Sequence, residues 1–134
     1  MKLYIDTNIF LDYLLERKNL NGEDISSPAQ KLFYRAMSCE FFIIVSDHTA
    51  RELNKNLNIE KARMMIEFLK KKIVMVYSVE EDVTEAKKLS PTNQNDALHA
   101  VLAKKHGADY LITRNLKDFE EFSLYIKSKA PENI

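Results

Sequence analysis

Short apolar runs of strand length alternate along this chain with stretches of helical spacing. Lys2-Leu3-Tyr4-Ile5 predicts a first strand, and Ile9, Phe10, Tyr13 and Leu14 follow at helical spacing. A polar turn from Asn19 to Asp24, with Gly22 in it, leads to a second helix with Leu32, Phe33, Ala36 and Met37 on its apolar face. Ser27-Pro28-Ala29-Gln30 reads as the start of that helix: a capping serine, a proline at the first helical position and a glutamine completing a capping box. Phe41 to Val45 is apolar throughout and partly β-branched, as in a strand buried on both faces. Ser46 stands where it can cap a helix carrying Leu53 and Leu57, and Ala62, Met65, Ile66 and Leu69 mark the next. Ile73 to Tyr77 predicts a third strand, and Val83, Ala86 and Leu89 a short helix that Pro91 ends. Asn93 caps a helix holding Ala97, His99, Ala100 and Val101, which Gly107 closes. Tyr110-Leu111-Ile112 predicts a fourth strand and Leu124-Tyr125-Ile126 a short last one. Strands separated by helices imply an α/β fold with a parallel sheet covered on both faces.

The chain has 134 residues, which is expected to form one domain, 1–134, burying roughly two-thirds of the surface its unfolded form exposes. Lys plus Arg equals Asp plus Glu at 20 each, so the basic footprint of a protein that coats nucleic acid is missing. Any contact with RNA is expected to be local or metal-assisted. Zero net charge also removes self-repulsion and eases self-association. Cys39 is the only cysteine, which excludes an intramolecular disulfide and suits a reducing compartment. At a helix end and without a cysteine partner, it reads as a buried small hydrophobe rather than a nucleophile. Asp6 interrupts the first apolar run before it can serve as a signal peptide, and the longest purely apolar run, Phe41 to Val45, is too short to span a bilayer. The expected location is the cytoplasm, with no membrane contact.

All strand C-termini of a parallel sheet share one edge, and ligands bind there. Asp6 follows the first strand directly, and Asp118 lies behind Thr113-Arg114-Asn115 after the fourth. Glu52 lies about two turns into the helix after the second strand. Asp96 sits in the first turn of the helix before the fourth strand, and joins the others only if that helix starts at the same edge. Converging carboxylates repel one another unless a cation lies between them, and carboxylate oxygens suit magnesium or manganese. Such an ion serves phosphodiester hydrolysis by acidifying water and neutralising phosphate charge. Each residue also has a plainer reading. Asp6 is placed to cap a helix, Asp96 to complement a helix dipole, Glu52 to sit in solvent, and Asp118 to belong to an ordinary loop.

His48 and Glu52 have metal-ligand spacing on one helix face, but no second histidine is near in sequence, which argues against zinc. His99, three after Asp96, reads as a packed histidine or one that orients Asp96. Lys70-Lys71-Lys72 and Lys104-Lys105 read as solvated faces sooner than as phosphate contacts, and no glycine-rich phosphate loop is present. Met64 and Met65 fit either a subunit contact or the core.

Tyr4-Ile5-Asp6-Thr7-Asn8-Ile9-Phe10 resembles the opening of PIN domains, and Ser46 through Glu52-Leu53 resembles their second motif. Asn95-Asp96-Ala97-Leu98-His99-Ala100 resembles the third, and Gly107 through Thr113-Arg114-Asn115-Leu116-Lys117-Asp118-Phe119 the fourth. The match runs from near residue 2 to near residue 126. The resemblance implies a three-layer α/β/α fold around a mostly parallel five-stranded sheet. It implies Asp6, Glu52 and Asp96 as acidic metal ligands and RNA hydrolysis by a metal-activated water, with Mg2+ or Mn2+ as cofactor. The chain's size resembles the VapC-like toxins of toxin–antitoxin pairs, which implies a homodimer and an antitoxin protein that covers the catalytic groove.

One position departs from the pattern. Many members of the family carry an aspartate two residues after the threonine matching Thr113, and here Asn115 stands instead. An amide oxygen can bind a metal but brings no charge, so Asp118 is expected to take the acidic role and catalysis to use one tightly held ion. Thr113 is expected to hold a water or a neighbouring carboxylate. Arg114 is equally fit for phosphate or for the surface. Metal-activated water implies products with a 5′-phosphate and a 3′-hydroxyl. Aspartate-based phosphatases need a second aspartate where Asn8 stands, and response regulators need an acidic pair after the first strand, so both readings fail. The non-enzymatic alternative is a PIN-like scaffold that binds RNA or protein without cutting, for which Asn115 is the direct support.

Overall fold

The computed structural model describes residues 1–134, the side chain of Ile59 excepted. Strand β1 (Lys2–Ile5) lies at the centre of a five-stranded sheet between β2 (Phe42–Ser46) and β4 (Tyr110–Ile112). Strands β3 (Ile73–Val76) and β5 (Ser128–Lys129) form the edges, giving the order β3-β2-β1-β4-β5. All four pairings are parallel. The chain builds outward from β1 to β3 and then crosses to β4, so the direction of winding switches between β1 and β4. In open α/β sheets that switch point is where a ligand crevice forms.

Alternation along the strands builds two cores. Leu3, Ile5, Ile43, Val45 and Ile112 face α1 (Thr7–Leu14), α2 (Ser26–Met37) and α4 (Ile59–Leu69). Tyr4, Ile44, Val76 and Leu111 face α5 (Glu80–Leu89), α6 (Gln94–Lys105) and α7 (Leu116–Phe119). A slip of one residue in β1 would exchange these faces, so burial fixes the register and with it the position of Asp6. Helix α3 (Asp47–Asn56) gives Leu53 to the first core. Ser46 caps it as its sequence predicts, accepting from the Thr49 N–H at 3.1 Å. Gly107 closes α6 at φ 75°, a left-handed conformation that glycine adopts without penalty.

Several local expectations are corrected. Helix α2 begins at Ser26, and Ser27 and Pro28 lie inside its first turn, without a capping box. Asp24 Oδ1 takes the Ser26 N–H at 2.8 Å and its hydroxyl at 2.6 Å, supplying the local anchor from outside the helix. The last strand is Ser128–Lys129, while 124–126 turn back on Phe122, whose carbonyl accepts the Tyr125 and Ile126 N–H groups. Those donors are spent in the turn and cannot enter a ladder. Ile43, Ile44 and Val45 are buried on both faces as expected, but Phe42 is exposed, with the Lys72 ammonium 5.3 Å from its ring centre. Cys39 is exposed at φ 66°, where the chain reverses between α2 and β2. In α4, Met65 packs inward while Met64 and Ile66 face solvent. No helix among the described residues is long and apolar enough to cross a membrane.

Candidate active site

Asp6 is the residue after β1 and occupies the position that precedes α1, yet its side chain makes no capping bond. Its Oδ2 accepts instead from the Thr113 hydroxyl at 3.0 Å, across the β1–β4 boundary. Register places them together: Ile5 pairs with Ile112, and the Asp6 N–H donates to the Ile112 carbonyl. Thr113 Oγ1 also accepts from the Asn115 N–H at 3.0 Å, so one hydroxyl ties the fourth-strand loop to Asp6. Asp6 is 3% exposed, and its Oδ1 accepts no hydrogen bond among the described residues. Burial raises its pKa above the ordinary carboxylate value, Asp96 and Glu52 add to that, and His99 and Thr113 oppose it.

Asp96 lies in the first turn of α6, half-buried, and its Oδ2 accepts from Asn93 Nδ2 at 3.0 Å. Asn93 precedes the helix as expected, but its side chain serves Asp96 instead of capping. Burial again raises the Asp96 pKa, with Asp118 and Glu52 pushing the same way against Asn93 and His99. His99, one turn beyond Asp96 on α6, lies with its Nε2 2.6 Å from Glu52 Oε1 and 4.0 Å from Asp6 Oδ1, while Asp118 is exposed on α7. Helix α6 therefore does start at the sheet edge that carries Asp6.

Glu52 is no solvated helix residue. Its Oε1 accepts from the Thr7 hydroxyl at 2.7 Å and from His99 Nε2 at 2.6 Å. Burial alone would raise its pKa, but His99 and Thr7 hold it down to about 2. Burial likewise disfavours the His99 cation, yet the Tyr4 oxygen, Glu52 and Asp6 outweigh it and raise His99 to about 10. As an imidazolium, His99 donates through both nitrogens. Nε2–H goes to Glu52, and Nδ1–H to the Tyr4 hydroxyl at 2.6 Å, which bonds Ser46 Oγ at 2.7 Å. The His48 ring lies 4.4 Å from the His99 ring, and burial, followed by the His99 charge, lowers its pKa to about 4.

Three predicted site residues have other engagements. Arg114 forms a two-pronged pair with buried Asp12, its Nη2 lying 2.9 Å from Oδ1. Asn8 accepts from Arg17 Nη1 at 3.3 Å. The Asn115 carbonyl receives the N–H groups of Asp118 and Phe119, opening α7, and its side-chain amide makes no hydrogen bond among the described residues. The lysine runs face elsewhere: Lys105 pairs with Asp82 at 3.0 Å, and Lys104 lies over the Tyr125 ring.

Sequence reasoning missed Tyr4, Thr7 and the pairing of His48 with His99. Among the described residues, one set of three ligand-type side chains has its donor atoms within 4.8 Å of one another, namely His48, Glu52 and His99. The expectation that His48 has no histidine neighbour is thus corrected. The first turns of α3 and α6 meet, His48 Nε2 lying 3.2 Å from the Asn95 carbonyl, and this brings together residues far apart in the chain. Parity offered a signal, because Tyr4 shares a strand face with Asp6, and His99 lies one helical turn beyond Asp96.

The fold is shared by two solved structures. VapBC2 from Rickettsia felis, bound to a DNA fragment from their promoter, is 15% identical, with 97% of this chain and 98% of that chain covered and a TM-score of 0.67. VapBC-1 from nontypeable Haemophilus influenzae is 23% identical, with 98% and 99% covered and a TM-score of 0.63. No curated protein sequence matches the chain. The family model of the PIN domain matches residues 2–117, from the first strand through the loop that carries Thr113 and Asn115. The chain therefore belongs to the PIN-domain family.

Proposed function

We propose that this chain is a divalent-metal-dependent endoribonuclease, and the toxin of a toxin–antitoxin pair. One observation carries the reading: Asp6 stands where a helix cap belongs, does no capping, and is buried with one free oxygen among other carboxylates. Burial makes that carboxylate costly, and His99 and the Thr113 hydroxyl offset the cost only in part, so capping and folding alone give little reason for it. The donor set fits a hard ion such as Mg2+ or Mn2+. Asp6 Oδ1 and the Asp96 oxygen not bound to Asn93 are free to ligate, with Glu52 Oε2 joining directly or through water. Asp118 and the Asn115 amide complete the polar rim. When bound, such an ion supplies a more acidic water and neutralises charge that builds on phosphate.

The chain's own residues supply the positioning. Thr113 fixes the Asp6 carboxylate, Asn93 fixes Asp96, and the Tyr4–His99 pair with Thr7 fixes Glu52. His99 is committed to Glu52 and Tyr4, and His48 has its Nε2 on the Asn95 carbonyl, which favours attack by water over attack by the ribose 2′-hydroxyl. RNA as substrate, the antitoxin and a homodimer follow from the resemblance to VapC-like toxins and from the fold shared with two VapBC structures. A groove of about 810 Å3 that combines apolar Tyr13, Leu14, Met64 and Phe68 with charged Glu16 and Lys61 is lined by none of the proposed metal-binding carboxylates and gives a protein partner a further surface to cover. The test is incubation of purified protein with a mixed RNA pool in Mg2+ or Mn2+ against chelator. Metal-dependent fragments with 5′-phosphate and 3′-hydroxyl ends support the reading. Fragments with 2′,3′-cyclic phosphates contradict it, and no metal binding at all promotes the non-cutting scaffold.

A further inference from the structure

We propose that His48, Glu52 and His99 form a binding site for a borderline divalent cation of the zinc class, which adds two imidazoles to Glu52 and does not use Asp96. This inference stands whether or not the chain cuts RNA. Both imidazoles turn Nε2 toward the same carboxylate oxygen, His99 at 2.6 Å and His48 at 3.7 Å from Glu52 Oε1. The second distance is too long for a hydrogen bond, so His48 converges on Glu52 without binding it. Tetrahedral zinc with its usual nitrogen and oxygen bonds spaces ligand atoms roughly 3.4 Å apart. All three donors already lie within 4.8 Å of one another, so a small shift of each ring creates the site.

The surroundings match what a zinc-binding imidazole requires. Such an imidazole donates its second N–H to an oxygen, which fixes the tautomer. The Tyr4 hydroxyl, 2.6 Å from His99 Nδ1 and itself anchored on Ser46, is that oxygen. The proton that His99 Nε2 gives Glu52 leaves to solvent as the ion takes its place. His48 ligates in its Nδ1–H tautomer, giving up its contact with the Asn95 carbonyl. Asp6 Oδ1, 4.0 Å from His99 Nε2, is within reach of a fourth position. The Glu52 side chain is 28% exposed between two buried histidines and provides the way in. Two imidazoles select zinc or cobalt over magnesium.

Cobalt(II) is the probe, titrated into metal-free protein and followed by its visible absorption, with zinc as competitor. Wild type is expected to develop a tetrahedral cobalt spectrum that zinc abolishes. His48→Gln should weaken cobalt binding by more than the roughly tenfold to hundredfold that losing an outer-shell partner costs. Asp96→Asn should bind as wild type does. The reverse pattern, with binding lost in Asp96→Asn and kept in His48→Gln, places the ion among the carboxylates and overturns the proposal. So does the absence of a tetrahedral spectrum in wild type. Imidazole nitrogen shifts in wild type give a readout free of any variant's folding. Zinc should move His48 and His99 and leave His106, at the far end of α6, in place; unmoved His48 and His99 overturn the proposal.

Discussion

His99 Nε2 and Glu52 Oε1 meet at 2.6 Å, joining α6 to α3 across the mouth of the sheet edge. His99 is 1% exposed, so its charge survives only because Tyr4, Glu52 and Asp6 hold it. Removing His99 leaves Glu52 without that partner, but its side chain is 28% exposed and partly rehydrates, so the cost is about 1–3 kcal/mol. His99→Gln is expected to lose about that much stability in urea unfolding without metal. A loss below about 1 kcal/mol would show that the pair does not clamp the two helices.

Arg114 is expected to act on stability and not on RNA. Asp12 is completely buried, and beyond Arg114 it has only Arg17 at 3.7 Å. Arg114→Ala should cost about 3 kcal/mol, while Asp12→Leu combined with Arg114→Met should recover most of it, because replacing both charges leaves none buried. Unfolding of the single and double variants measures this. A stable Arg114→Ala with weakened RNA binding would return Arg114 to the phosphate-contacting reading.

Asp47 should make stability fall in acid. Its carboxylate takes the Ser78 N–H and hydroxyl, each at 2.8 Å, and Arg51 at 2.9 Å. Burial, the largest single influence, raises its pKa, but these bonds together lower it below the ordinary value. A lowered folded pKa means the stabilisation is complete above the unfolded pKa of about 4 and is lost as pH falls through the folded value. Asp47→Asn should therefore cost about 1–2 kcal/mol at neutral pH. Its difference from wild type should shrink at about pH 3, as read by urea unfolding at both pH values. A gap that stays constant would mean that the charge contributes nothing.

The legible part of the fold was set by burial. The runs at β1, β2, β3 and β4 are apolar because the sheet is covered on both sides, and such runs can be read without coordinates. Strand β5 is two residues long and half-buried, so it leaves no apolar signature, and the more apolar 124–126 misleads. Asp6 and Glu52 could be expected near one another because strand ends of a parallel sheet share an edge. What stayed hidden was the network that decides their states. Tyr4 and His99 are 95 residues apart and Glu52 and His99 are 47 apart, and no local pattern records such a contact. The pairing of Arg114 was hidden for the same reason, since its partner Asp12 lies 102 residues away.

In the proposed function Asp6 serves chemistry and not folding, and cleavage by Asp6→Asn is the decisive test. The amide keeps an oxygen for the Thr113 hydroxyl and removes a buried charge, so the variant should unfold no more easily than wild type without metal. Assayed beside wild type on the same RNA pool in Mg2+ or Mn2+, it is expected to lose cleavage by about a hundredfold or more, as when a group that stabilises transition-state charge is removed. A folded Asp6→Asn protein that cuts as fast as wild type would contradict the account and leave the buried carboxylate without a role.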